Sequence, residues 1–436
     1  EWIRNGWGKL ERWTEVTTNR NKEIAVKRTK PAPGKLSRQS VLLLVVNGMF
    51  AAANALSGTF VNVYLWKAKK DFALIGWFAF ANQLAMAVTF WLAGKWVKEH
   101  NKMNSLRLGI ALSALFYLLV LWLGRRAADF AIVLGAVQGM SAGFFWLAFN
   151  VVYFEVTGPD DRDRFNGWAG LLGSTSGMVA PWLSGLLISR MEDAKGYRLI
   201  FTLSLAVFLA CAIVSFFLKK RKRDGRYEWL HSIRKLRSQE TPWRLIVPSL
   251  TAQGMREGVF GFAIGLLVYI ATASEMKLGN YFLITSAVGM ISFWTAGRLL
   301  KSKNRGPAML LGVLAMTLVI LPFFWKINYA TLLVFGIGSA LFFPFFSIPM
   351  TSTVFDIIGR SDESVAHREE YVVLRETALN IGRMAGTLLF IAVVSFTVKP
   401  LPVTALLLLV GAAPLLTWHW IRKIDGYRAG RRIREP

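Results

Sequence analysis

Apolar runs close to twenty residues long recur along this chain from Ser40 to Trp420, separated by short polar or basic segments. As a helix rising about 1.5 Å per residue, a run of that length crosses the roughly 30 Å hydrocarbon core of a bilayer. The pattern predicts twelve such helices. In the first half they run Ser40 to Trp66, Phe72 to Gly94, Ser105 to Gly124, Phe130 to Phe154, Asn166 to Ser189 and Tyr197 to Leu218. In the second they run Trp243 to Ala271, Gly279 to Leu299, Ala308 to Phe324, Ala330 to Phe355, Tyr371 to Val398 and Pro402 to Trp420. The expected fold is an all-α membrane protein: a tail over 1–39, a six-helix bundle over 40–218, a linker over 219–242, a second bundle over 243–420 and a basic tail over 421–436.

Composition agrees, with 54% apolar and 18% charged residues, but Lys and Arg outnumber Asp and Glu by 52 to 26. With both termini cytoplasmic, 38 of those cations fall at or beside inside segments and 11 at outside ones, so the positive-inside bias orients a multi-pass protein of the cell membrane. The basic clusters punctuate hydrophobic spans rather than forming one face, so no nucleic-acid partner is expected. In the tail, Trp2, Ile3, Trp7, Leu10 and Trp13 share one helical arc opposite Arg4, Glu11, Arg12 and Glu15. That arc suits the membrane interface, and Pro31 and Pro33 separate it from the first span. The basic run Lys219 to Arg226 precedes an amphipathic stretch, Tyr227, Leu230, Ile233 and Leu236, which reads either as a linker resting on anionic lipid or as a solvated connector.

No cleavable signal pattern is present, since the first 39 residues are polar. The single cysteine, Cys211, has no partner for a disulfide or thiolate site and reads as packing. His100, His231, His367 and His419 lie in loops or at span ends, so no catalytic centre, metal site or cofactor is expected and the protein is not read as an enzyme. No Gly-Lys-Ser/Thr phosphate loop exists for ATP.

The halves are related. FWLAGKWVKEHNKMNSLRLG from Phe90 to Gly109 returns as FWTAGRLLKSKNRGPAMLLG from Phe293 to Gly312, at an offset of 203 residues. A second echo matches Ser141, Ala142, Phe144 and Phe145 to Ser339, Ala340, Phe342 and Phe343, then Phe154, Glu155 and Gly158 to Phe355, Asp356 and Gly359 after a three-residue shift. Twelve spans, a basic central loop and a six-helix duplication resemble the major facilitator superfamily, from Ser40 to Trp420. The resemblance implies a bacterial secondary transporter with two pseudo-symmetric bundles. Its loop signature of Gly, acid and base fits Gly94, Asn101 and Lys102, but Lys98 occupies the place of the acid, against the family's usual charge-relay gate. The second-half counterparts are Gly297, Lys301, Asn304 and Arg305. GMVAPWLSG, from Gly177 through Pro181 to Gly185, resembles the family's Gly-Pro motif for close helix contact, which is commoner in exporters.

A charge deep in a span costs at least about 2.5–3.5 kcal/mol on insertion scales, so each needs a reason. Arg256, Glu257, Arg375, Glu376 and Arg383 lie within spans. Counting from the inner span ends puts Glu257 about 21 Å deep and Arg383 about 18 Å, and Arg375 and Glu376 only about 6–8 Å, within snorkelling reach of the interface. In the resembled fold helices seven and eleven adjoin, so Glu257 and Arg383 are expected to pair. Two readings stay open: a proton carrier whose protonation releases Arg383, or a structural ion pair. Arg256 adds a surplus midplane cation that would favour an anionic substrate or lipid phosphate. Asn47, Asn54 and Asn62 share one face of the first span, Gln253 continues the stripe of Glu257, and Asn380 lies between Glu376 and Arg383. With Gln138 they are the candidate cavity lining. Phe145, Phe342, Phe345 and Phe346 read as packing before substrate contact, and Asn82 and Gln83 as hydrogen bonds between bundles. Gating candidates are the two loop signatures with Gly177, Pro181, Arg375 and Glu376.

These features favour a monomeric, proton-coupled transporter of a small organic or amphipathic solute, with export slightly favoured. Membrane lipid, the solute and protons are its expected partners. A flippase for an anionic lipid or lipid-linked glycan, and a non-transporting membrane partner or sensor on the same scaffold, are the alternatives.

Overall fold

The computed structural model describes residues 36–157, 159–220, 226–237, 241–300, 304–358 and 367–432. The N-terminal amphipathic arc and Lys301 lie outside the described residues. Eleven helical stretches among the described residues are long and apolar enough to span a bilayer. One of them, Lys102–Tyr153, has 52 residues, more than twice the span length, and folds back on itself. It therefore supplies two spans.

The helices are α1 (Arg38–Lys69), α2 (Phe72–Glu99), α3 (Lys102–Leu123), α4 (Ala131–Val156), α5 (Pro159–Ser189), α6 (Asp193–Ser215), α7 (Trp243–Thr272), α8 (Glu275–Leu299), α9 (Arg305–Leu318), α10 (Tyr329–Ile358) and α11 (Arg368–Phe396). The last span is two pieces, α12 (Pro400–Ala412) and α13 (Pro414–Arg432), because Pro414 cannot donate to the preceding turn. Polar caps set the boundaries. Ser37 accepts from the Ser40 amide, Asp71 from Ala73, Asn101 from Met103 and Ser274 from Lys277. Gly124 ends α3 at a φ of +53°, a conformation that glycine enters without strain. The helix ends carrying the basic loops are termed inner here and the opposite ends outer.

Within each half, small residues let backbones approach, which is how helices associate where lipid removes the hydrophobic drive between them. In the first half Gly109 of α3 lies against the Phe145 backbone of α4, and Gly135 against Phe78 of α2. In the second, Gly312 meets the Phe346 backbone and Gly336 meets Tyr281. The duplication is thus three-dimensional, at the offset of 203 for α2 and α3. In α4 the structural offset is 201, so Phe145 corresponds to Phe346 rather than to Phe343. A shift of about three residues is nearly one helical turn and leaves side chains on almost the same face, which is why the sequence echo slipped. Phe145 stacks on Phe50 at 3.5 Å between ring centres, and Phe346 is buried in the second bundle, so both are core. Cys211 is core too, beside the Val46 carbonyl.

The seam between halves consists mainly of α2 against α11 and α5 against α8. Away from the seam, large apolar side chains point outward, such as Ile213 at 65% exposure and Ile132 at 57%, as a lipid-facing surface requires.

Candidate functional site

The α7–α11 contact is the closest in the second half. A β-carbon at Gly382 would collide with the Thr251 carbonyl oxygen, and one at Gly254 with that of Leu379. Backbones held this close bring Glu257 and Arg383 together. Arg383 Nη2 donates to Glu257 Oε2 at 2.8 Å and Nε donates to the same oxygen at 3.3 Å. The other carboxylate oxygen accepts from Gln253 Nε2 at 2.7 Å, and Arg383 Nη1 donates to Asn380 Oδ1 at 3.2 Å. Both charged side chains keep partial exposure, 28% and 21%, because they line a cavity of about 290 Å³ between the halves. The first half faces them with Asn62, Asn82, Gln83 and Gln138.

Amide side chains organise this wall. Asn82 Nδ2 donates to Gln138 Oε1 at 2.9 Å, tying α2 to α4 within the first half rather than bridging the halves. Gln83 does bridge them, accepting from Thr387 Oγ1 at 3.0 Å and donating to the Gly258 carbonyl at 3.4 Å. Asn62 Oδ1 is buried with no hydrogen-bond partner among the described residues. An acceptor so placed, in a cavity wall, is one that a bound solute can satisfy.

Several expected lining residues lie elsewhere. Arg256 points into the second bundle, donating to Ser339 Oγ at 3.4 Å and lying 4.8 Å over the Phe260 ring, because adjacent helical positions differ by about 100° in direction. The cavity wall therefore holds one cation and one carboxylate, and the anion preference expected from Arg256 loses its basis. Asn47 is buried outside the wall, and Asn54 bonds back to the Phe50 carbonyl of its own helix at 2.9 Å. Gln253 is buried behind Glu257 and positions it. Arg375 does not snorkel alone; it contacts the buried Glu376 directly, with its guanidinium 5.9 Å from the Phe355 ring. Asn380 Nδ2 donates to the Glu376 carbonyl at 2.9 Å, so the polar face of α11 is bonded internally at its inner end.

The inner end of the seam carries an ion-pair lock. Lys98 Nζ donates to both oxygens of Glu370, at 2.7 and 2.9 Å, with both side chains almost fully buried. Lys98 thus replaces the usual acid without losing the bridge between halves: α11 supplies the acid, and the polarity is reversed. Arg368 extends the lock to Glu155 of α4 at 3.7 Å, and Glu155 contacts Lys102, the second cation of the loop signature. The second-half equivalent, Arg305 with Asp356 at 2.8 Å, is far more exposed. Asn304 starts α9 without a side-chain cap, and Gly297 faces open space.

Among its described residues, the connector packs on this lock. Tyr227 lies against Gly94, its amide donates to Glu99 at 3.0 Å, and the Glu228 amide donates to Glu370 at 3.1 Å. Burial, and after it the charges of Glu370 and Glu369, push the Tyr227 phenol well above its usual range. Trp229 packs on Trp91 at 4.7 Å between ring centres, and Leu236 joins the second core, while Leu230 is exposed.

Toward the outer end the seam closes at α5 and α8. Ser286 donates to the Gly177 carbonyl at 3.2 Å, the Pro181 carbonyl lies against Gly279, and Gly185 against the Glu275 backbone. Glu275 also accepts from Lys67 at 3.1 Å and Tyr197 at 3.0 Å, so an ion pair joins the halves at the outer end as well. Lys67, Glu275, Glu155, Arg368 and Glu370 all stand at span ends in the sequence, where a charge needs no explanation. Only their partners from distant helices mark them out.

Comparison with known proteins places this geometry. The chain is 38% identical over 384 residues to an uncharacterized protein, YqgE, of Bacillus subtilis (strain 168), covering 88% of this chain and 89% of that one. It is 42% identical over 177 residues to an uncharacterized protein in the sodM 3' region of Geobacillus stearothermophilus, covering 41% of this chain and 82% of that one. Among solved structures, a bacterial homologue of the iron transporter ferroportin, outward-facing, superposes with a TM-score of 0.64 at 16% identity, covering 89% of this chain and 100% of that chain. A D-xylose–proton symporter superposes with a TM-score of 0.67 at 12% identity, covering 87% and 97%. The sequence pattern of the Major Facilitator Superfamily matches residues 42–387. With its two six-helix halves, its central cavity and that match, the chain belongs to the Major Facilitator Superfamily and has the fold of its transporters.

Proposed function

We propose that this transporter is proton-coupled and moves a small organic or amphipathic solute outward across the cell membrane by alternating access. The Glu257–Arg383 pair in the cavity wall carries this reading. A proton taken up on Glu257 Oε2 removes the charge that holds Arg383. The freed guanidinium, still held by Asn380, then turns to solute, and the α7–α11 contact relaxes. Because the halves are joined at the inner end by Lys98–Glu370 and at the outer end by Lys67–Glu275, a change of state requires one pair to part while the other holds. The Gly177–Gly185 segment in the α5–α8 contact supports export.

In proteoliposomes with an imposed pH gradient, Glu257→Gln is expected to abolish proton-driven flux while solute still exchanges down its own gradient. Unchanged proton-driven flux in that variant would remove Glu257 from coupling. A second reading, a lipid or lipid-linked glycan flippase, draws on an apolar cavity of about 270 Å³ lined by Ala263, Leu267, Phe390 and Val394, which shares α7 and α11 with the polar one. A headgroup in one and a chain in the other would suit it. Dye efflux and fluorescent-lipid flipping measured on one preparation separate the two readings.

A further inference from the structure

Three residues remote in sequence meet beside the inner lock. Glu228 and His231 come from the connector between the halves, and His367 immediately precedes α11. The two imidazoles lie face to face, 3.7 Å apart with planes 1° from parallel. Glu228 reaches both: Oε2 is 3.6 Å from His231 Nδ1, and Oε1 is 3.8 Å from His367 Nε2. One donor atom from each residue lies within 4.8 Å of the others.

Two imidazoles and one carboxylate are the donor set of Zn²⁺ and its first-row neighbours, whereas Ca²⁺ and Mg²⁺ favour all-oxygen shells. Metal–ligand bonds of about 2.0–2.2 Å place tetrahedral donors roughly 3.3–3.6 Å apart, so the cluster has to contract by little more than an ångström. Parallel rings hold their lone pairs in separate planes. Turning one ring about its Cβ–Cγ bond, out of the stack, aims both at a common point. A fourth position is left for water.

The setting gives such an ion a task. The Glu228 amide donates to Glu370, and Glu370 holds Lys98 across the seam. His231 is buried edge-on to Tyr371 of α11, which stacks on Trp243 of α7. An ion here fastens the connector to the start of α11 at the residue next but two to the lock. We propose that Glu228, His231 and His367 form a regulatory site for a divalent transition-metal ion, with Zn²⁺ as its representative, and that occupancy holds the inner end closed.

The test uses the full chain in nanodiscs with Zn²⁺ alone as the probe. Binding is followed by competition with a chromogenic chelator in excess Mg²⁺. Closure is followed by the distance between spin labels at Lys95→Cys and Asp356→Cys, in a Cys211→Ala background. The wild type is expected to bind a single Zn²⁺ and to gain the short-distance population with it. His231→Gln with His367→Gln is expected to lose about 100-fold or more in affinity and to lose the Zn²⁺ response. Glu228→Gln, at an exposed side chain, is expected to weaken binding without disturbing the fold, which keeps the test valid where the double variant misfolds. Equal Zn²⁺ affinity in wild type and variants overturns the site. So does equal competition by Mg²⁺, or closure that follows pH and ignores Zn²⁺.

Discussion

Lys98→Met probes the reversed lock most directly. The pair is 2.7 Å apart, with side chains 3% and 1% exposed. At an effective dielectric of about 20, the attraction is about 6 kcal/mol at that distance, opposed by the cost of desolvating both groups. Removing one partner of a buried pair costs about 3–5 kcal/mol, because the remaining charge keeps its desolvation cost and loses its counter-ion. Parting the halves at the inner end would expose both groups to water, so this loss is expected to fall on the closed state. Three kcal/mol is roughly 150-fold in the closed-to-open ratio. Lys98→Met combined with Glu370→Gln removes both charges, keeps an acceptor for the Glu228 amide and should recover most of the lost ratio, since no unpaired buried charge remains. The assay is modification of an engineered inner-end cysteine in a Cys211→Ala background, where the native thiol is buried in any case. Single and double variants opening the inner end to the same extent would refute the reasoning. So would additive effects, because they would mean that the two side chains do not compensate each other in the closed state.

The two loop signatures should respond unequally. Glu155→Gln, facing a fully buried Lys102, should lower thermal stability by a few kcal/mol, whereas Asp356→Asn, half exposed beside Arg305, should cost less than about 1 kcal/mol; equal Tm shifts would contradict this. Gly382→Ala drives a methyl group into the Thr251 carbonyl and should cost about 1–3 kcal/mol or more, while Gly297→Ala, facing open space within α8, should leave Tm unchanged or raise it slightly, since alanine favours a helix over glycine. Tyr227 binds its proton more tightly when docked than when free. Its contribution is complete below pH 10, the free phenol's value, and falls as pH rises above it, where the undocked phenol ionises first. Tryptophan fluorescence from the Trp91–Trp229 contact should report undocking above that pH, and Tyr227→Phe should remove the dependence.

The pairing of Glu257 with Arg383 was expected only because helices seven and eleven adjoin in the resembled family, but the twelve spans, the duplication and the need of each deep charge for a partner were legible in the linear order of residues. Each is carried by local or periodic information: the bilayer imposes run length, repetition survives as a constant offset, and a midplane charge is too costly to stand alone. Even the Lys98 substitution was visible as a departure. Its meaning was not, because Glu370 lies 272 residues away and reads as an ordinary charge at a span end. Arg256 and Asn47 show the opposite error. Depth along a helix follows from counting residues, but which neighbour a side chain faces depends on helix rotation, and rotation is set by packing. Close approach at Gly382 and Gly254 turns Glu257 toward the cavity and sends Arg256 into the bundle. The sequence by itself therefore determined the membrane fold, its twofold repetition and the deep charges. Only the tertiary structure decided which charges meet across the seam, that the lock has reversed polarity, and that Glu228, His231 and His367 converge, because these depend on contacts between segments with no local relation in the chain.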